Sequence, residues 1–110
     1  SISAKTHAYD VRGTSVRKFV IDPTKLGFKK TEKNDLRGDT PEENARIIRE
    51  ILAGKKGARR DIVVLNAAFA LLVADIVKTP KEGIALAEHS IDSGSAREAL
   101  NRLTRVSNAV

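Results

Sequence analysis

Asp61-Ile62-Val63-Val64-Leu65-Asn66-Ala67-Ala68-Phe69-Ala70-Leu71-Leu72-Val73-Ala74-Asp75-Ile76-Val77 decides how the rest of this chain must be arranged. After Asp61 only Asn66 and Asp75 interrupt the apolar run, and a helix that is apolar all round is one buried on all sides. A bilayer crossing needs roughly 20 apolar residues, and two polar residues inside it would be costly. The run therefore predicts a central core helix and no membrane span. Asp61 is placed to cap it, and Ala67, Ala68, Ala70 and Ala74 allow neighbouring helices to come close. Burial demands partners for the polar members. Asn66 is expected to bond to backbone in a nearby connection, and Asp75, near the helix end, to reach a Lys or solvent.

On either side of this rod the sequence supplies amphipathic helices. Thr40 with Glu43, Thr79 with Glu82 and Ser95 with Glu98 have the capping-box spacing, and Pro41 and Pro80 follow the first two caps. Pro41 to Ala53 sets Ala45, Ile47, Ile48, Ile51 and Leu52 against Glu42, Arg46, Arg49 and Glu50, and Gly54 closes it. Pro80 to Ser93 carries Ile84, Ala87 and Ile91 and ends at Gly94. The last helix, Ala96 to about Asn108, presents Ala99, Leu100, Leu103 and Val106. These three helices are expected to wrap the central one.

Farther out, Thr6 to Val11 and Val16 to Ile21 read as strands around Arg12-Gly13-Thr14-Ser15. A lone hairpin is marginal in water, so it must lean on helices or join other strands. Asp22-Pro23-Thr24-Lys25-Leu26-Gly27 predicts a short helical turn capped by Asp22 and ended by Gly27, and Lys29 to Arg37 a polar connection. The fold class is α+β: a hairpin and connection over residues 1–37, then a four-helix cluster around a buried apolar helix over residues 38–110.

The chain has 110 residues and no Cys. That length buries a modest core, and the composition excludes disulfides, thiol redox chemistry and thiolate-bound metals while favouring an intracellular, cytoplasmic setting. Ser1 to Thr6 has no apolar leader segment. The net charge of +6 is uneven, with 15 Lys and Arg against 8 Asp and Glu in residues 1–60 and 5 against 6 beyond. A basic binding module for an acidic partner or RNA is the alternative this raises. The cations are scattered among acidic neighbours, and Tyr9, Phe19, Phe28 and Phe69 are the only aromatics on which bases could stack; no nucleic-acid binding is expected.

Little in the chain carries chemistry. Gly54-Lys55-Lys56-Gly57-Ala58-Arg59-Arg60 runs into the start of the central helix, where free N–H groups favour anions, but it lacks a Gly-Lys-Ser/Thr ending and Asp61 occupies the same place. His7 and His89 have no second ligand or nucleophile at a recognisable spacing, and Asp10 and Asp39 have no companion carboxylates. No catalytic, cofactor-binding or metal residue is assigned.

Several blocks, in order, are similar to anthranilate phosphoribosyltransferases: Val20-Ile21-Asp22-Pro23 with Leu26-Gly27-Phe28, Leu36-Arg37-Gly38-Asp39, and Glu43-Asn44-Ala45. Gly54, Gly57, Arg60-Asp61, Leu65-Asn66-Ala67-Ala68, Glu82-Gly83 and Ile91-Asp92-Ser93-Gly94-Ser95-Ala96 continue the pattern. Arg37 stands where that family commonly has Gly. The resemblance implies transfer of phosphoribosyl from phosphoribosyl pyrophosphate to anthranilate in tryptophan biosynthesis, with magnesium assisting. It also implies that this chain is the C-terminal portion of a larger α/β domain. The family's phosphate loop, Ser and Asp-Glu pair do not occur here, so the resemblance carries over no site residue. It implies a structural role, inactivity of this chain alone and the remainder of the enzyme as partner; with the parent sheet truncated, the hairpin is expected to expose an edge that pairs between chains as a homo-oligomer. A pyrimidine nucleoside phosphorylase, of similar fold, is a further alternative; the Asn-Ala-Ala and Asp-Ser-Gly blocks favour the anthranilate enzyme.

Overall fold

A computed structural model describes residues 4–30 and 40–109. Ser1 to Ser3, most of the expected connection over residues 29–37, the Leu36 to Asp39 block and Asp39 itself lie outside the described residues. The order is strand β1 (Thr6–Arg12), strand β2 (Ser15–Ile21), a 3-10 turn (Pro23–Leu26), then α1 (Pro41–Leu52), α2 (Ala58–Val73), α3 (Pro80–Asp92) and α4 (Ser95–Ala109). This is the expected α+β arrangement of a hairpin followed by four helices.

The strands pair antiparallel from Thr6 opposite Ile21 to Arg12 opposite Ser15, one residue longer at the tip than the sequence suggests. The connection is thus only Gly13-Thr14. Gly13 has φ +58, the positive first position of a II′ turn, whose twist matches that of the strands. In the 3-10 turn Asp22 accepts from the Thr24 N–H at 3.1 Å, and Gly27 ends it in the left-handed region.

Two of the three expected caps form. Thr40 Oγ accepts from the Glu43 N–H at 3.0 Å and Thr79 Oγ from the Glu82 N–H at 3.2 Å. Glu82 reaches back to the Lys78 N–H at 3.0 Å, one residue beyond the usual box. Ser95 is already the first residue of α4; its hydroxyl faces Ser93 Oγ at 3.1 Å, and the Glu98 N–H donates to the Gly94 carbonyl at 3.0 Å. The third box is therefore not made.

The central helix is displaced from its expected bounds. Gly57, with φ +143, starts it at Ala58, so the Asp61 N–H already donates to the Gly57 carbonyl, and Asp61 lies within the first turn and not at the cap. At the other end Asp75 adopts φ +58. The Asp75 N–H donates to Leu72 O (3.1 Å) and the Ile76 N–H to Leu71 O (3.0 Å). This is a Schellman closure with Asp in the place Gly usually holds, and it leaves Asp75, Ile76 and Val77 outside the helix.

The core is one cluster: Val64 and Ala68 of α2, Ile84, Ala87 and Ile91 of α3, and Ile47 and Ile51 of α1. Leu26, Phe28, Ala67 and Ala96 pack around it. α2 and α3 touch most closely where Gly83 crosses Ala68. A Cβ on Gly83 would lie 2.7 Å from the Ala68 carbonyl oxygen. All-round burial of the rod is not found. Val63 and Val73 are exposed, and so is Asn66, which therefore needs no internal partner. The reason is geometric: α1 and α3 cover one side of α2, while α4 packs mainly on α3 and α1. Of the apolar stripe expected on α4, Leu100 is half-buried and Leu103 and Val106 stand open.

Candidate functional site

Alternation along the strands gives the hairpin two unlike faces. Thr6 and Ala8, with their partners Ile21 and Phe19, turn toward the helices and are partly covered; His7, Tyr9 and Val11, with Val20, Lys18 and Val16, turn away and are exposed. Phe19 meets Phe69 of α2, the rings stacked at a centroid distance of 6.4 Å and 20° between planes. Arg12, at the tip, bridges Asp10 (Nε to Oδ2, 3.3 Å) and Asp75 (Nη1 to Oδ1, 3.4 Å). Asp75 thus reaches solvent, its side chain being 62% exposed, and its charged partner is an Arg from the hairpin in place of a Lys. Between hairpin and α2 lies a groove of about 800 Å³, lined by Phe19, Phe69, Leu72 and Val73, by Lys5, Arg17, Lys25 and Lys78, and also by Tyr9, Val11 and Val20 of the strands.

The start of α2 is built differently. Gly54, at φ +101, closes α1, and Lys55 Nζ sits 3.0 Å from Glu50 Oε2. Arg60 turns inward and is 4% exposed. Its guanidinium grips Asp92 at the end of α3, Nη1 to Oδ1 at 2.7 Å and Nη2 to Oδ2 at 3.1 Å, with Glu88 at 3.9 Å. A bidentate fork of this kind fixes orientation as well as distance. The guanidinium holds the Asp92 carboxyl below its ordinary range. Burial pushes the Asp61 carboxyl up, the nearby Arg60 opposing. Arg60 is committed to Asp92 and Asp61 lies in the same first turn, while no side chain caps the start of α2.

His7 lies on the exposed face of β1 and His89 on the exposed side of α3. Among the described residues no group of three or more His, Asp or Glu side chains could hold a metal ion. No described helix is long and apolar enough to cross a membrane. Sequence reasoning missed the Arg60–Asp92 fork, whose members are 32 positions apart. The available signal was that both belong to the blocks carrying the family resemblance.

A family model described as "Glycosyl transferase family, a/b domain" matches residues 1–97. The chain is 48% identical, over 113 residues, to an anthranilate phosphoribosyltransferase of Thermomicrobium roseum, which covers 100% of this chain and 32% of the relative. A second such enzyme, from Symbiobacterium thermophilum, is 48% identical over 94% of this chain and 30% of its own length. Among solved structures, the anthranilate phosphoribosyltransferase from Saccharomyces cerevisiae in complex with 4-fluoroanthranilate superposes with a TM-score of 0.90 at 28% identity, over 100% of this chain and 32% of that one. The enzyme from Thermus thermophilus gives 0.73 at 35% identity over 82% of this chain and 27% of that one. The chain spans about a third of the length of the curated relatives it matches.

Proposed function

This chain belongs to the glycosyl transferase family through its a/b domain, and from that premise we propose that it serves as the scaffold third of an anthranilate phosphoribosyltransferase. The observation that carries the reading is the superposition of the entire chain on one third of the yeast enzyme at a TM-score of 0.90. The whole enzyme joins phosphoribosyl to the amino group of anthranilate and releases pyrophosphate, in tryptophan biosynthesis and in the cytoplasm. Magnesium, where bound, supplies neutralising charge to the departing pyrophosphate; a variant of the yeast enzyme has been solved with Mg bound. The described residues of this chain offer no donor set that fits the ion, so no step is routed through them.

What these residues do is positional. The Gly83–Ala68 crossing and the Arg60–Asp92 fork hold α2 and α3 in fixed register, and the Phe19–Phe69 stack sets the hairpin against them. A rigid support of this kind keeps reacting groups supplied by other segments in place. The test is a split-enzyme assay. The 110-residue chain is purified alone and together with the part of the Thermomicrobium roseum enzyme outside the match, and phosphoribosyl anthranilate is followed by loss of anthranilate fluorescence. Turnover is expected only from the pair; turnover by the chain alone refutes the scaffold role.

A further inference from the structure

Helices α2 and α3 are joined at two places that differ in kind. Toward the start of α3, Gly83 lies against the Ala68 backbone. At its end, Arg60 grips Asp92, the last residue of the helix. The helices run antiparallel, since Gly83 and Asp92 meet Ala68 and Arg60 in reverse order, and the helical rise puts the two places about 13 Å apart. The seam at Gly83 cannot yield, because the atoms it presses on are backbone. The fork is made of side chains, and only its guanidinium is buried: Arg60 is 4% exposed and Asp92 51%.

A second acceptor stands beside the first. Glu88, one turn back on the same face of α3, has Oε2 3.9 Å from Arg60 Nη2. That is beyond hydrogen-bond length and within a side-chain rotation of it. On the other flank Lys56, in the loop before α2, joins Arg60 in holding the Asp92 carboxyl below its ordinary range. We propose that these four side chains form a two-position latch: Arg60 passes from Asp92 to Glu88 while Asp92 turns to Lys56, the Gly83–Ala68 seam staying in register. Every charge keeps a partner in both positions, so the exchange avoids the stranded buried cation that makes breaking such a pair costly. Asp61 also faces the guanidinium, but it belongs to α2 itself and cannot tie the helices together. What the latch frees is the corner between α3 and α4. Asp92 runs directly into Ser93 and Gly94, the latter at φ +86, and no described residue of α4 is fully buried. The latch operates whatever reaction the scaffold serves.

A double-mutant cycle in the 110-residue chain, read by urea titration and by amide hydrogen exchange, tests the latch. Glu88→Gln alone should change the folding equilibrium constant by less than about twofold. It should nevertheless slow exchange at the Ser93 and Glu98 amides, which close the corner, by about tenfold, because opening would now strand Arg60. Asp92→Asn alone should lower the folding constant by about tenfold, Glu88 having taken over the guanidinium. Both together should lower it by a further factor of about ten or more, whereas Asp61→Asn in place of Glu88→Gln should add no loss. Should the double variant not fold, Arg60→Met must restore it by removing the unpaired charge. A Glu88→Gln cost that is the same with and without Asp92 overturns the latch. So do corner amides that exchange no more slowly in Glu88→Gln, and an unfolded double variant that Arg60→Met does not rescue.

Discussion

A single methyl group measures how tightly α2 and α3 are joined. On Gly83 it would lie 2.7 Å from the Ala68 carbonyl oxygen and 2.9 Å from its Cα, both backbone atoms that cannot swing aside. Gly83→Ala must therefore push the helices apart, and overpacking of this kind costs about 1–3 kcal/mol. The urea midpoint should fall accordingly, with the slope unchanged. At Asp92 the effect is electrostatic. The Arg60 fork lowers the carboxyl's folded-state pKa, so its stabilisation is complete above the ordinary aspartate value of about 4 and is lost as pH falls through the depressed one. Asp92→Asn should lower the melting temperature at neutral pH, and its deficit should shrink below that range. Asp61 has the opposite sign, its folded-state pKa being raised by burial. Asp61→Asn should then stabilise at neutral pH, with the gain fading on acidification. Melts from about pH 3 to about pH 7, spanning the ordinary carboxylate range, separate the two.

Helix ends show how far a linear pattern can be read. Thr40 and Thr79 carry their signal in Thr-Pro-x-Glu, all within four residues, and both hydroxyls accept the N–H three positions on. Ser95-x-x-Glu98 has the same letters, yet Ser93-Gly94 lets α4 begin one residue earlier and strands the box inside it. Thr40→Ala and Thr79→Ala should each cost about 1 kcal/mol, while Ser95→Ala should cost a few tenths at most; urea titrations of the three variants check the difference. The bounds of α2 were the least legible, because hydrophobicity marks which residues are apolar and says nothing of where φ turns positive. Asp75 holds φ +58 where Asp, unlike Gly, pays a steric cost, and its exposed pair with Arg12 returns little. The Arg60–Asp92 pair, buried at its Arg end only, spans 32 positions and leaves no local periodic trace. Hence the candidate groove, made by distant elements, has no local signature, and the Arg60–Asp92 fork is marked only by the family blocks that hold its two members.

At the scale of the whole molecule, the chain is looser than its length requires. The radius of gyration is 15.5 Å, against about 13 Å for a compact domain of this size, because the hairpin and the far half of α4 extend beyond the shared core. The fully apolar reading of Ile62 to Val77 located that core correctly but assumed cover on every side, and the described residues supply cover on one. Strands β1 and β2 bond extensively to each other, yet they meet the helices chiefly through the Phe19–Phe69 stack and the Arg12–Asp75 pair. Local opening of a poorly anchored unit needs far less free energy than global unfolding. Hydrogen exchange should therefore find the hairpin amides at least about 100-fold less protected than those of Val64 to Ala68 in α2, a gap of roughly 3 kcal/mol. Phe69→Ala removes the aromatic anchor on the helix side while leaving the α2–α3 seam at Ala68 and Gly83 intact. It should erase the residual hairpin protection and change α3 little. Equal loss across hairpin and helices would mean that the two units open together, and that the stack belongs to a single cooperative core.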